Sequence, residues 1–386
     1  MSEWKKVKLG DVCEITSSKR CLASVRSKSG IPFFCSKEII CLDKGEDFEP
    51  SDFIPEELYN DIKAKYGVPA KGDLLLTTRG TNGIPYIYKS SDTFYFADGN
   101  LSWFKNFKKG FDPQFLYYWF KSPLGIHEVD TISKGTAQKA VPIDGLRRII
   151  MPYPSQYTQN RIVTILSRYD SLIENYQKQI KLLEEAAQRL YKEWFVDLHF
   201  PGYENTKIVD GVPEGWEKEN LGTLVEFKRG KTITKKEVVE GKIPVVAGGL
   251  EPAYYCNKFN TSERVITISG SGANAGYTRM YFEKIWASDC SFADSSKTPY
   301  LHFVFCFLRD NKTTIDNMQK GAAQPHVYAK DINLMEICIP TEIMLKSFEE
   351  RVSKYFDTIS SLQPILYLLD HIELMQNNIK DNIITL

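Results

Sequence analysis

Residues 162–194, IVTILSRYDSLIENYQKQIKLLEEAAQRLYKEW, carry apolar residues at alternating four- and three-residue steps. This spacing puts the apolar side chains in one stripe along an α-helix and is typical of a coiled-coil seam. Pro154 precedes the segment, Ser155 or Thr158 can cap its first turn, and Pro201 follows it. The pattern therefore predicts one long helix over residues 155–200. Its predicted seam residues are Ile162, Leu166, Tyr169, Ile173, Tyr176, Ile180, Leu183 and Leu190.

A second stretch, residues 341–386, repeats the same spacing. Its predicted seam residues are Phe348, Val352, Ile359 and Leu366. Pro364 lies inside this stretch, and we expect it to kink or split the helix because proline removes a backbone hydrogen bond. Neither helix can bury its stripe alone. We therefore expect the two helices to pack on each other as an antiparallel coiled coil.

The sequence contains one pattern twice. WKKVKLGDV at residues 4–12 returns as WEKENLGTL at 216–224, an offset of 212, whereas residues 113–146 align without a gap with 299–332, an offset of 186. Both copies then run through a β-like apolar segment into a long helix. Because the two offsets differ, the interiors of the copies differ in length. The repeat predicts two mixed α/β modules that share one architecture. Because their interiors differ, we expect the two modules to recognise different targets.

Composition bounds the class of protein. With 386 residues, 42% hydrophobic and 25% charged, the chain resembles a soluble globular protein of two or three domains. Its first residues lack the apolar region of a signal peptide, and no apolar run approaches the roughly 18 residues of a membrane span, so we expect a cytoplasmic chain. The eight cysteines form no C-x-x-C pair and the five histidines lie far apart. We therefore expect reduced thiols and no metal site.

The formal net charge is zero, so overall charge alone does not indicate a nucleic-acid binder. Acidic residues are concentrated within residues 43–61, which leaves the rest of the first module basic. Nuclease chemistry would need clustered carboxylates with a nearby lysine; we interpret this acidic run instead as a charge run in a solvated loop.

Several motifs resemble those of the specificity subunits of type I restriction-modification enzymes, the HsdS family. The segment LLEEAAQRLYKEWFVDLHFPG at 182–202, followed by VPEGWEKENLG at 212–222, resembles the family's central conserved region. GTAQKAV at 135–141, followed by MPYPSQYTQNRI at 151–162, is similar to its junction between recognition domain and helix. The second copy of this junction lacks the second proline and the glutamine. The resemblance covers nearly the whole chain.

The resemblance implies an α+β chain with a pseudo-twofold repeat, in which two similar target-recognition domains are joined and separated by the two long helices. The expected domains are recognition domain 1 at 1–154, the central helix at 155–200, recognition domain 2 at 201–340 and the distal helix at 341–386. Each recognition domain is expected to read one half of a bipartite site in double-stranded DNA.

The family also implies partners and cofactors. Two modification subunits would bring S-adenosylmethionine and methylate adenine in each half-site, and restriction subunits would bring ATP- and Mg-dependent translocation and cleavage. We expect this chain to bind none of these cofactors. It contains no G-x-x-x-x-G-K-[ST] loop and no Asn/Asp-Pro-Pro methyltransferase motif, so we expect it to bind DNA without catalysing a reaction.

The repeated Lys-Gly-x-Ala-Gln element at 134–138 and 320–324 is the best candidate site. Lysine can neutralise a phosphate, and glutamine can pair with adenine in the major groove. Because both modules share this element, we expect it to contact the DNA backbone more than the bases; alternatively, it only builds a turn. The predicted DNA-binding residues are Arg79, Asn82, Lys134, Gly135, Gln138, Lys139, Ser271, Asn274, Lys320, Gly321, Gln324 and His326.

Other functions stay open at this stage. The glycines in VITISGSGANAG, with Asp289 further on, could form a dinucleotide loop, but the following segment is aromatic and β-like where such a loop needs a helix. A related restriction system with a fused methylase-nuclease partner is one alternative, and a structural coiled-coil scaffold is another. A scaffold would show no sequence preference in DNA binding.

Overall fold

The chain folds as two compact units in the computed structural model, which describes residues 4–45, 48–135, 139–233, 238–321 and 324–384. The first unit comprises Met1–Asn175 and Leu366–Leu386, and the second comprises Tyr176–Ile365. Each long helical segment of the sequence therefore contributes residues to both units.

The first unit begins with a mixed α/β module. Its strands are β1 Lys5–Lys8, β2 Glu14–Thr16, β3 Ile31–Phe34, β4 Phe53–Ile54, β5 Leu74–Thr77, β6 Pro85–Ile87, β7 Tyr95–Phe96, β8 Leu101–Lys105 and β9 Ile150–Tyr153. Its helices are α1 Ser36–Lys44, α2 Glu56–Tyr66, α3 Pro113–Phe120, α4 Pro123–Ile132, α5 Ile143–Arg148 and the long α6 Gln156–Tyr191. The strands form an antiparallel sheet in the order β2-β8-β5-β6, a three-stranded sheet β4-β3-β7 and the pair β1-β9.

The second unit contains the second mixed module. Its strands are β10 Ile208–Val209, β11 Val212–Pro213, β12 Glu217–Asn220, β13 Lys228–Arg229, β14 Ile243–Val246, β15 Tyr254–Cys256, β16 Val265–Ser269, β17 Thr278–Tyr281, β18 Trp286–Ala287, β19 Cys290–Asp294 and β20 Glu336–Ile339. Its helices are α7 Leu221–Leu224, α8 Leu301–Asp310, α9 Lys312–Asn317, α10 Ala329–Asn333 and the long α11 Glu342–Ile384.

The sheets of the two modules correspond strand by strand. The order β13-β19-β16-β17 matches β2-β8-β5-β6, and β15-β14-β18 matches β4-β3-β7. Both three-stranded sheets contain one parallel pair, β3 with β7 and β14 with β18. The pair β12-β20 matches β1-β9. The predicted α+β fold, with two similar mixed modules and long helices, is confirmed.

The long helix α6 begins where the sequence places a cap. Ser155 Oγ accepts a hydrogen bond from the Thr158 amide at 3.3 Å, which satisfies one of the unpaired donors of the first turn. The 36 residues of α6 span about 54 Å at 1.5 Å per residue. A π-helical turn at Lys192–Val196 ends the helix. The twelve predicted seam positions of the two long helices are all buried or half-buried.

The first module forms hydrogen bonds with the beginning of α6. The buried Gln159 side chain accepts from the Asp112 amide at 2.9 Å and donates to the Pro154 carbonyl at 3.0 Å. About three turns later, the Tyr118 hydroxyl donates to the Asp170 carboxylate at 2.5 Å. The position equivalent to Gln159 in the second copy is Leu345, which is also buried, so an apolar contact replaces the polar one.

In the second unit, the end of α6 meets the start of α11. The Phe348 ring centroid lies 6.2 Å from that of Tyr191 and 5.9 Å from that of Trp194, as an antiparallel pairing requires. Helix α8 packs on both long helices. Gln188 donates to the Cys306 carbonyl at 3.1 Å, and Glu349 accepts from the Phe303 amide at 2.9 Å. These aromatic and apolar residues join one core cluster of the second unit.

Two sequence-based expectations need correction. Pro364 does not split the second long helix, because α11 continues through it: proline removes one backbone hydrogen bond while the apolar stripe continues on both sides. The other expected effect of Pro364, a kink, stays a prediction. The acidic run is not a single solvated loop, because Asp43 lies in α1 and pairs with Lys121 at 2.9 Å, and Glu56 begins α2. Residues 46–47 of this run lie outside the described residues.

No helix in the described part of the chain combines the length and the apolar character that crossing a membrane requires.

We predict that Phe348→Ala lowers the free energy of unfolding of the second unit by about 3–5 kcal/mol, because a fully buried aromatic side chain leaves a cavity. The matched control is Ile343→Ala on the same helix, whose side chain is 81% exposed and whose loss should cost no more than about 0.5 kcal/mol. Urea unfolding followed by tryptophan fluorescence measures both variants. Equal losses would contradict the role assigned to this contact.

Candidate nucleic-acid interface

In the first unit, two loops lie side by side. The hairpin loop, residues 78–84, connects β5 with β6, and the glycine loop, residues 134–140, follows α4. The Val141 amide donates to the Thr78 carbonyl at 3.0 Å, and Arg79 forms an isolated β-bridge with Ala140. The Asn82 side-chain amide donates to the Lys139 carbonyl at 3.2 Å. Residues far apart in sequence are thereby joined in one surface.

The second unit repeats this arrangement. Its hairpin loop is residues 270–277 and its glycine loop is residues 320–326. The Val327 amide donates to the Gly270 carbonyl at 3.1 Å, and Ser271 forms a β-bridge with His326. The Gly272 amide donates to the Pro325 carbonyl at 3.0 Å. The pairing of the two loops is therefore a property of both modules.

Each glycine loop is closed by a reciprocal pair of backbone hydrogen bonds. Lys134 and Ala140 exchange bonds of 2.9 and 2.8 Å, and Lys320 and His326 exchange two bonds of 2.9 Å. The following glycine has φ of +104° in the first loop and +103° in the second, a conformation that other residues rarely adopt. A Cβ on Gly321 would lie 2.7 Å from the Gln324 carbonyl oxygen. Glycine at this position is thus required by the turn.

The loops present cations and polar groups to solvent. Arg79, Lys134 and Lys139 are exposed in the first unit. In the second unit the Lys320 side chain is 59% exposed and pairs with Asp331 at 2.8 Å. The His326 ring stacks on the Tyr328 ring with a centroid distance of 6.0 Å. Such a surface can neutralise phosphates and offer hydrogen bonds to bases.

The structure thus brings the predicted site residues into one surface in each unit. In the first unit they are Arg79, Asn82, Lys134, Gly135 and Lys139. In the second they are Ser271, Asn274, Lys320, Gly321, Gln324 and His326. Gln138 lies outside the described residues, whereas Gln324 is exposed.

The glycine-rich hairpin loop of the second unit does not have the geometry of a dinucleotide loop. It leads from β16 into the antiparallel strand β17, whereas a dinucleotide loop leads into a helix whose N-terminus holds the phosphates. Asp289, the candidate ribose ligand, instead accepts a hydrogen bond from Ser271 at 2.5 Å. Among the described residues, no group of histidine, cysteine or acidic side chains is arranged to hold a metal ion.

Two charged residues beside this loop are missing from the sequence-based prediction of DNA-binding residues. Arg229 Nη2 lies 3.8 Å from Asp289 Oδ1, and Asp289 bonds the loop residue Ser271. The three residues lie in separate segments of the sequence, so no local spacing indicated the cluster. The stretches of the repeat that align in sequence, 216–224 and 299–332, contain none of the three residues, so only the structure shows the cluster.

The chain thus combines two equivalent modules, each with the same paired loops, and two long helices. Comparison with known proteins identifies the class of protein. The model of the family described as type I restriction modification DNA specificity domain matches residues 1–185 and 213–360. The chain belongs to this family.

Individual relatives agree with this assignment, and a solved structure has a similar fold. The chain is 27% identical to the type I restriction enzyme MjaIX specificity subunit of Methanocaldococcus jannaschii, over 96% of this chain and 90% of that protein. It is 31% identical to a putative type I restriction enzyme specificity subunit of Haemophilus influenzae, over 49% of this chain and 46% of that protein. The fold resembles the S subunit of a type I restriction-modification system from M. genitalium, with a TM-score of 0.59, 17% identity and 95% of both chains covered.

We predict that Gly321→Ala opens the glycine loop of the second unit, because its φ of +103° and the 2.7 Å contact with the Gln324 carbonyl both oppose a Cβ. Hydrogen exchange at the Lys320 and His326 amides should then accelerate at least about ten-fold. The control is Gly211→Ala, which also has a positive φ, +77°, but whose Cβ would meet no atom within 4 Å. Unchanged exchange at both amides in Gly321→Ala would contradict the requirement for glycine.

Proposed function

We propose that this chain is the non-catalytic, DNA-binding specificity subunit of a type I restriction-modification complex. The observation that carries the proposal is the pair of loops that both modules present in the same way. A protein that reads a bipartite DNA target needs two such surfaces, one for each half. The family membership supports the same function.

This proposal assigns a role to each subunit of the complex. The chain positions the complex on double-stranded DNA, while two modification subunits bind S-adenosylmethionine and methylate adenine in each half-site. Restriction subunits use ATP and Mg²⁺ for translocation and cleavage. The chain itself then binds none of these cofactors and acts in the cytoplasm, where the DNA and the partner subunits are.

Within this proposal, different parts of the chain have different roles in DNA recognition. The shared glycine loops, with Lys134 and Lys320, contact the phosphate backbone and set the position of each module. Residues that differ between the modules read the bases. A stiff helix such as α6, which contributes residues to both units, suits a fixed distance between half-sites better than a flexible linker does.

The test is the salt dependence of DNA binding. Each phosphate that a lysine neutralises contributes about 0.9 to the slope of log K against log salt concentration. We expect the double variant Lys134→Ala, Lys320→Ala to bind all duplexes more weakly and to lose about 1.8 from the slope, which titrations of labelled duplex DNA at several salt concentrations measure.

The control for this test is Lys346→Ala, because Lys346 is also exposed and ion-paired but lies on α11. This variant should keep the wild-type slope. An unchanged slope in the double variant would contradict backbone contact by the glycine loops. A wild-type chain that binds no DNA, alone or with its partner subunits, would indicate a scaffold instead.

A further inference from the structure

The paired loops of the two modules differ in chemistry at equivalent positions. The Gly270 amide donates to the Asp289 carbonyl at 3.2 Å, just as the Thr78 amide donates to the Asn100 carbonyl at 2.8 Å. Asp289 therefore corresponds to Asn100. Ser271 corresponds to Arg79, because each forms the bridge to its glycine loop.

A third position completes the comparison. Strand β13 pairs with β19 as β2 pairs with β8, with Lys228 opposite Phe292 where Thr16 lies opposite Trp103. Arg229 of the second module therefore corresponds to Ser17 of the first. The lysine and glycine of the glycine loops are shared, whereas these three positions are Arg, Asp and Ser in one module and Ser, Asn and Arg in the other.

In the second module the three side chains form a cluster. Ser271 Oγ donates to Asp289 Oδ2 at 2.5 Å, which holds the carboxylate in place. The other oxygen, Oδ1, lies 3.8 Å from Arg229 Nη2, a separation too long for a hydrogen bond. The Arg229 and Asp289 side chains are 77% and 43% exposed. Both groups can thus form hydrogen bonds with a ligand.

The surroundings of the cluster favour base contact over phosphate contact. Asp289 lies beside the loop that carries Lys320, and a carboxylate in such a place is repelled by phosphates. The hydrogen-bond donors of duplex DNA that a carboxylate can use in the major groove are the exocyclic amino groups of bases, with cytosine N4 its usual partner. A guanidinium can bond guanine O6 and N7. Burial raises the pKa of the neighbouring Cys290 to about 12, so its thiol adds no charge.

We propose that Asp289 and Arg229 determine base specificity in the second half-site by reading one C·G pair, with the carboxylate on the cytosine amino group and the guanidinium on guanine. Ser271 positions the carboxylate. This assignment rests on the proposed function of the chain as a DNA reader. The first module lacks the cluster, so its half-site need not contain this base pair.

The experiment is selection from duplex DNA with randomised positions, followed by sequencing, with the full chain bound to its modification subunits. The variants are Asp289→Asn, which keeps an acceptor for Ser271 but lacks the charge, and Arg229→Gln, which changes an exposed side chain and should leave the fold intact. The control is Asp210→Asn, which removes the same charge from the turn between β10 and β11, where a φ of +48° suits asparagine.

We expect the preference for C·G at one position of one half-site to fall at least about ten-fold in both Asp289→Asn and Arg229→Gln, with every other position unchanged. Asp210→Asn should keep the wild-type target. The assignment would be overturned if both variants kept the wild-type base preferences, or if the preferences weakened equally at all positions. Asp289 would then only stabilise the loop. A wild-type complex that selects no sequence would overturn the proposed function and the assignment together.

Discussion

The burial of the two apolar helix stripes is the constraint on which the rest of the structure depends. In the second unit, fully buried Phe348 contacts Tyr191, Trp194 and Phe303, so one side chain joins α6, α8 and α11. An amphipathic helix of this length cannot leave its stripe in water. In the second unit the module is therefore fixed to the helices by the same apolar contacts that hold the helices together, and its loops take their positions from the module.

Shared architecture and different chemistry have separate physical origins in this chain. The strand order, the parallel pair in each small sheet and the reciprocal hydrogen bonds at the glycine loops recur because they depend on backbone geometry. A positive φ at Gly135 and Gly321 is one such requirement. The side chains at Arg79 and Ser271 carry no such constraint, since a β-bridge accepts either residue. The two modules can thus differ in side-chain chemistry without a change of fold.

Local sequence patterns predicted the secondary-structure elements better than they predicted the contacts between those elements. The heptad spacing from Ile162 and the Ser155 cap predicted α6, and the repeat predicted the matching modules. The pairing of Arg79 with Ala140 joins segments far apart in sequence, so no periodicity encodes it. Of the two effects expected of Pro364, a kink or a split, the split is wrong, because α11 continues through this residue. Asp289 was considered only as a ribose ligand, because its partners Ser271 and Arg229 became visible only in three dimensions.

The central claim is that the chain contains two modules that read DNA independently of each other. The most direct measurement is to replace residues 205–340 with the second module of another family member and to sequence the methylated adenines in cells that carry the modification subunits. The account predicts that one half of the methylated target changes while the other half is retained. A change in both halves together, or in neither, would contradict it.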